Sequence, residues 1–421
     1  RDVARNKEKT QKYFGSAILL KIILAIITLF STAAIGYALG YTSSTMQIVL
    51  IITLSLIAVS FYGIVSSIIS AYEVMEYISL GSIIFNLAML IFALLAIHLG
   101  VDVYGFSYVY LISSIISLGY YAFIALKKIP RPKWDMDLDL WKYMIKEAIP
   151  FGLSSVFIRI YYYIDTVMIS LMISNSNEAM GWYNAAYRMV LVLSFIPVTF
   201  LGAIYPIMSN YYVTSDKNLG FIFERSFKYL MALAIPIGVG TIVLGDQLIL
   251  FIYGPEFAPS AIALKILVWS EVLIFLNSVF GNLFNSINRQ AIVAKQTMLA
   301  AALNIIINIF IIPEYSYVGA SAATVATQIF SFSFLLYFAF KEGYPLPKNM
   351  IIHLCKILFA CLMMTLFIIQ FNELPLLLLI LLAAIAYLII IFSTGVTDKT
   401  DIQMARQLMG GVKIYGIKKN N

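Results

Sequence analysis

The sequence predicts an all-α, polytopic membrane protein with about 12 transmembrane helices, and three observations carry that prediction. Of its residues, 62% are hydrophobic and 12% charged, with a mean hydropathy of +0.92, whereas a soluble domain is about half apolar and a quarter charged. Long uncharged apolar runs follow one another with short gaps, each long enough to cross ~30 Å of hydrocarbon as a helix. These runs do not alternate in ~10-residue segments, as the strands of a membrane barrel would.

The runs place spans at 14–35, 47–69, 78–99, 104–126, 148–172, 183–208, 227–246, 262–286, 292–313, 318–340, 352–371 and 374–394. Phe371, Asn372, Glu373, Leu374 and Pro375 read as a tight turn between the last two. Pro197 and Pro236 interrupt spans six and seven. Each removes a helix hydrogen bond, which permits either a hinge or a fixed kink.

Lys and Arg set the orientation. With the N-terminus inside, the inner segments hold Arg1 to Lys12, the cluster from Lys127 to Lys146, then Lys217, Arg225, Lys228, Arg289, Lys295, Lys341, Lys348, Lys356 and the basic tail. The outer loops hold none, and Lys21, Arg159, Arg188 and Lys265 fall within spans. Both termini are therefore expected in the cytoplasm. The net charge of +7 reflects this bias and attraction to anionic membrane lipids, so it implies no nucleic-acid partner.

The start shows no signal-peptide pattern. Cys355 and Cys361 share one span at a spacing that suggests neither a disulfide nor a metal site, and His98 and His353 are isolated. Without a Gly-rich phosphate loop, no nucleotide site powers transport from this chain, and no cofactor is expected. The outer loops are too short for the catalytic loop of a polytopic glycosyltransferase, so an enzyme is not expected. Asp135, Asp137 and Asp139 have the acidic spacing of a nucleotide-sugar site. Beside Trp134, Leu140 and Trp141 they read instead as part of an interfacial amphipathic linker.

Spans three and four resemble spans nine and ten. Phe85-Asn86-Leu87 matches Leu303-Asn304-Ile305, Tyr104-Gly105 matches Val318-Gly319, and Lys127 matches Lys341. The lag covers an even number of spans, so the copies run parallel, as in transporters built from internal repeats. Spans five and six then need partners upstream. Together with a start that lacks Met, this predicts a fragment of a 14-helix, two-lobe transporter with parallel six-helix repeats. The expected division is 1–126 for the rest of the first lobe and 127–147 for a cytoplasmic linker. The second lobe follows at 148–340, two further helices at 341–394, and a basic tail at 395–421.

Ionisable groups within spans usually face a polar interior, a partner or a pathway. Ser155, Arg159, Tyr162, Thr166 and Ser170 recur at helical spacing, with Asp165 nearby. Glu271, Ser278, Asn282, Asn285 and Arg289 form a second stripe, and Ser321, Thr324, Gln328 and Ser331 a third. Arg188 begins its span at the depth of Asp165. A water-filled cavity between lobes accounts for the stripes. Interhelical glue, with Asp165–Arg188 as a static ion pair, is the alternative.

Three stretches resemble Wzx-type polysaccharide-unit flippases: the opening Arg1-Asp2-Val3-Ala4-Arg5; the entry Glu147-Ala148-Ile149-Pro150-Phe151-Gly152 leading to Asp165-Thr166; and Gly181-Trp182-Tyr183-Asn184-Ala185-Ala186-Tyr187-Arg188. The resemblance covers the whole chain and implies the multidrug/oligosaccharidyl-lipid/polysaccharide exporter superfamily. It implies alternating-access movement of isoprenoid-diphosphate-linked oligosaccharide across the cytoplasmic membrane, with polysaccharide assembly proteins as partners. The substrate-binding candidates are Arg159, Arg188, Tyr162 and Asn282, the cations meeting the diphosphate. Asp165 and Glu271 are candidates for coupling to H+ or Na+. A multidrug cation antiporter of the same superfamily is the alternative, and a membrane glycosyltransferase a remoter one.

Overall fold

The computed structural model describes residues 2–72, 74–174, 176–346 and 349–395. The side chains of residues 4, 5, 150, 151 and 153–161 lie outside the described residues, Arg159 among them, as do Arg1, Lys348 and the basic tail beyond Gly395. The described chain is helical: α1 (Thr10–Ala38), α2 (Ser43–Ala71), α3 (Met75–His98), α4 (Val103–Lys128), α5 (Leu138–Met172), α6 (Ser176–Leu193), α7 (Phe195–Thr214), α8 (Asp216–Tyr253), α9 (Ser260–Ser286), α10 (Gln290–Lys341), α11 (Met350–Gln370) and α12 (Leu376–Ser393).

Among the described residues, ten helical stretches are long and apolar enough to cross a membrane. One of them, α10, is two arms merged across Ser316, whose φ of 52° and ψ of −135° are not helical. Counting those arms separately gives eleven, and α5 ends in a shorter apolar stretch, Tyr162–Met172. Span six is broken at Ser194 between α6 and α7, and Pro197 then sits in the first turn of α7, a position where proline's missing N–H is harmless.

The chain divides into two compact units, Arg1–Gly152 and Leu153–Asn421. In the first, α4 packs on α2 and α3 through small residues, as bilayer helices do when backbones approach closely. Ser113 and Ser117 are buried, and a Cβ on Gly81 would lie 2.4 Å from the Tyr121 hydroxyl. Tyr121 stacks on Tyr62 with ring centroids 5.1 Å apart. Helix ends follow the sequence: Asp102 caps α4 by accepting from Gly105 N at 2.9 Å. Gly40 and Gly100 take the left-handed conformation beyond α1 and α3.

The segment before α5 is strapped to the start of α1. Lys133 N donates to Gln11 O at 3.0 Å, and Lys12 pairs with Asp137 at 2.6 Å. A Cβ on Gly15 would meet Lys133 O at 1.9 Å, so only glycine admits the strap. Asp137 also caps α5, accepting from Leu140 N at 2.9 Å. The Lys12 ammonium beside it holds its carboxyl below the usual carboxylate range. The acid that resembled part of a nucleotide-sugar site is thus a cap and a latch.

In the second unit α9 is the most enclosed helix, lying against α8 and α10. Its Phe280 meets Phe223, Phe227 and Phe332 with ring centroids within 5.7 Å. α11 and α12 pack on α8. Pro236 lies inside α8, where it can make no bond to the carbonyl four residues earlier. That carbonyl, Ala232 O, accepts instead from the Tyr387 hydroxyl of α12 at 2.7 Å. The carbonyl that Pro236 frees is thus satisfied from a neighbouring helix.

Candidate functional site

A carboxylate inside an apolar helix bundle demands partners, because an uncompensated buried charge is prohibitive. Asp165 on α5 is 4% exposed. Its Oδ2 accepts from the Tyr183 hydroxyl at 2.6 Å and from Thr324 Oγ1 at 2.9 Å. Its Oδ1 accepts from Asn308 Nδ2 at 2.5 Å. Asn308 Nδ2 also reaches Asn304 Oδ1 at 3.0 Å. Tyr183 is held from behind by stacking on Tyr187 at 5.7 Å.

Four elements therefore converge on one carboxylate: α5, α6 and both arms of α10. The two arms meet there because the chain reverses tightly at Ser316, where a Cβ on Gly319 would lie 2.8 Å from Ile311 O. Asn304 and Asn308 are one helical turn apart on the first arm, so both amides face the same point.

All partners seen on Asp165 are neutral donors. The Asp165–Arg188 ion pair of the alternative reading does not form: Arg188 is exposed, five residues beyond Tyr183 and therefore on a different face of α6. Matching depth was not matching azimuth.

Glu271 on α9 is 2% exposed and accepts from Ser194 Oγ at 2.6 Å, at the break between α6 and α7. A narrow cavity of about 20 Å³ joins the two acids, with Tyr162, Asn304, Thr324 and Gln328 in its wall. That volume admits about one water or a small ion. Tyr162, Asp165 and Glu271 are thus brought together. Asn282 is not among them, its amide lying 3.5 Å from Leu201 O and Met208 Sδ, where it joins α9 to α7. Lys265 pairs with Asp246 at 2.6 Å.

Sequence reasoning overlooked Tyr183, Asn304 and Asn308 as site residues. The available signal was the Asn-x-x-x-Asn spacing in an otherwise apolar span. The Asp165 carboxylate and the Thr324 hydroxyl are hard oxygens suited to an alkali or alkaline-earth cation, while Asn308 presents its amide nitrogen to the carboxylate and keeps a buried Oδ1 without a partner among the described residues. Among the described residues no cluster of three His, Cys, Asp or Glu could hold a transition metal.

Residues 1–212 match the family described as polysaccharide biosynthesis protein. The chain belongs to that family. Residues 150–310 also match the MatE family, and these contain Asp165, Glu271 and Asn308. An uncharacterized membrane protein of Methanocaldococcus jannaschii is 24% identical over 287 residues, covering 66% of this chain and 56% of that protein. The probable low-salt glycan biosynthesis flippase Agl15 of Haloferax volcanii is 22% identical over 315 residues, covering 74% of this chain and 65% of the relative. The chain thus matches under two-thirds of the length of either relative. Among solved structures, the lipid II flippase MurJ in its inward closed conformation aligns with a TM-score of 0.73 at 20% identity, covering 91% of this chain and 83% of that one. The family member described here is a multi-pass membrane protein with that transporter fold.

Proposed function

We propose that this protein is a flippase that moves lipid-diphosphate-linked oligosaccharide across the cytoplasmic membrane by alternating access, driven by a cation bound at Asp165. The observation that carries this reading is a buried carboxylate held only by neutral hydroxyl and amide side chains, inside a chain of the polysaccharide biosynthesis family. Such a carboxylate is retained in a bilayer bundle for ion or substrate traffic. The name of the Haloferax volcanii relative, a glycan biosynthesis flippase, points the same way.

Na+ fits Asp165 once the Asn308 amide turns its unpartnered Oδ1 inward in place of Nδ2, so that the carboxylate, the amide oxygen and the Thr324 hydroxyl all face the ion. Glu271, with a single hydroxyl donor, fits a proton carrier. Arg159 and Arg188 are the cations assigned to the diphosphate, and Tyr162 to the adjoining wall. Both termini are assigned to the cytoplasm on the Lys and Arg distribution, and labelling of a cysteine at Glu256 from outside only would support this orientation.

The test is export in cells lacking their flippase, scored as surface polysaccharide, with Asp165→Asn compared at equal membrane abundance. Loss of export together with loss of Na+-dependent stabilisation supports the reading. Full export by Asp165→Asn sinks it. The MatE match over 150–310 favours a second reading, cation efflux, and resistance to toxic organic cations without any change in polysaccharide would establish that reading instead.

A further inference from the structure

The surroundings of Asp165 are asymmetric along the second unit. Toward the turn at Ser316 the site is closed by apolar packing. Ile169, one turn beyond Asp165, is fully buried with Ile312, Ala320 and Leu267 in a single cluster. Above it Tyr317 donates to Pro259 O at 3.2 Å and meets Trp182 edge-on. No hydrated ion crosses such packing without disrupting it.

Toward the opposite end, which carries Arg289, Lys295 and Lys341, the interior is polar. Gln328, one turn beyond Thr324, ends the cavity, and Asn277 Nδ2 donates to its Oε1 at 2.9 Å. Three residues further along the same arm Ser331 accepts from Gln296 Nε2 at 2.7 Å. Gln296 is half-buried beside the exposed Lys295. From Asn308 to Gln296 this column covers about 18 Å of the first arm at the helical rise.

Interhelical glue would satisfy its own polar atoms. Here Asn277 Oδ1 and Asn308 Oδ1 are both buried without a hydrogen-bond partner among the described residues. One lies beside Asp165 and the other beside Gln328. A buried carbonyl oxygen in that state suits a passing cation or its water.

We propose that the column Asn277–Gln328–Ser331–Gln296 is the passage through which a monovalent cation at Asp165 exchanges with the basic end of the second unit. The proposal rests on the cation reading of Asp165 and adds its route. Because the route lies off the binding cage, blocking it changes rates and leaves affinity alone.

The experiment measures 22Na+ binding and dissociation on the purified protein for wild type, Gln296→Leu and Ser331→Ala, with Asp165→Asn as control. The expected result is a Kd within twofold of wild type for the two column variants, with association and dissociation both slowed, at least tenfold for Gln296→Leu. An unaltered Kd also certifies that a variant is folded, and Gln296→Met replaces Gln296→Leu if the latter does not accumulate. Unchanged rates at an unchanged Kd overturn the passage while leaving the cation site standing. Absence of Na+ binding by wild type, or its persistence in Asp165→Asn, overturns the cation reading and the passage with it.

Discussion

The bond from Tyr387 to Ala232 O makes Pro236 testable by a double-mutant cycle. Proline at 236 leaves the Ala232 carbonyl without its helical donor, and the Tyr387 hydroxyl supplies one at 2.7 Å. Tyr387 is 5% exposed, so no solvent replaces that donor after Tyr387→Phe. Interhelical hydrogen bonds in bilayers are worth about 0.6 kcal/mol on average and about 1.7 at most. Tyr387→Phe should therefore shift the unfolding equilibrium roughly 3- to 18-fold. In a Pro236→Ala background the residue at 236 regains its N–H and bonds Ala232 O within the helix, so the same Tyr387→Phe change should have little effect. The assay is reversible unfolding by SDS in mixed micelles, followed by helicity, for the four proteins of the cycle. An equal loss from Tyr387→Phe in both backgrounds refutes the reasoning and means that the hydroxyl serves something other than the proline-freed carbonyl.

Three further outcomes follow from contacts already described. Gly81→Ala should lower stability by about 1–3 kcal/mol, as overpacking does, because the new methyl meets the Tyr121 ring; a thermal midpoint equal to wild type would contradict it. The carboxyl of Asp137 is held below its ordinary range by Lys12, so the stabilisation it lends the strap is complete above the unfolded carboxylate pKa and is lost as pH falls through the lower folded value. The protection of Lys133 N–H against hydrogen exchange, taken relative to the intrinsic rate at each pH, should accordingly stay high at neutral pH and fall only in acid, with Lys12→Ala already unprotected at pH 7. Arg159→Ala should abolish polysaccharide export at normal membrane abundance, with Arg159→Lys intermediate because the bidentate fork is lost; full export would return Arg159 to a structural role.

What was legible in the sequence was whatever the bilayer imposes on the backbone. Each crossing must satisfy its own N–H and C=O groups, so spans announce themselves as long apolar runs, and even the merged arms of α10 were separable at 313–318. The acids of the site were legible for the same reason: Asp165 and Glu271 stand out in hydrocarbon. Their partners were not. Equal depth offers Arg188 as a partner for Asp165, whereas azimuth decides contact, and the helix buries Tyr183 while leaving Arg188 exposed. The stripe on α9 was read through Ser278, yet Asn277 makes the inward bond to Gln328. A stripe fixes a face only to within about one residue in a helix of 3.6 residues per turn. The role of Pro236 could not be read locally because its compensating donor lies in α12, far along the chain.

The strap between α5 and α1 bears on how the protein is made. Lys133 returns to Gln11, Asp137 to Lys12, and the Tyr143 hydroxyl to Asp2 at 3.0 Å, 141 residues away. A ribosome feeding this chain into a membrane delivers α1 long before any of those partners exists. The strap therefore cannot form before the beginning of α5 leaves the exit tunnel. Those polar contacts join segments that the ribosome delivers far apart in time, so they can form only after α1 to α4 have emerged.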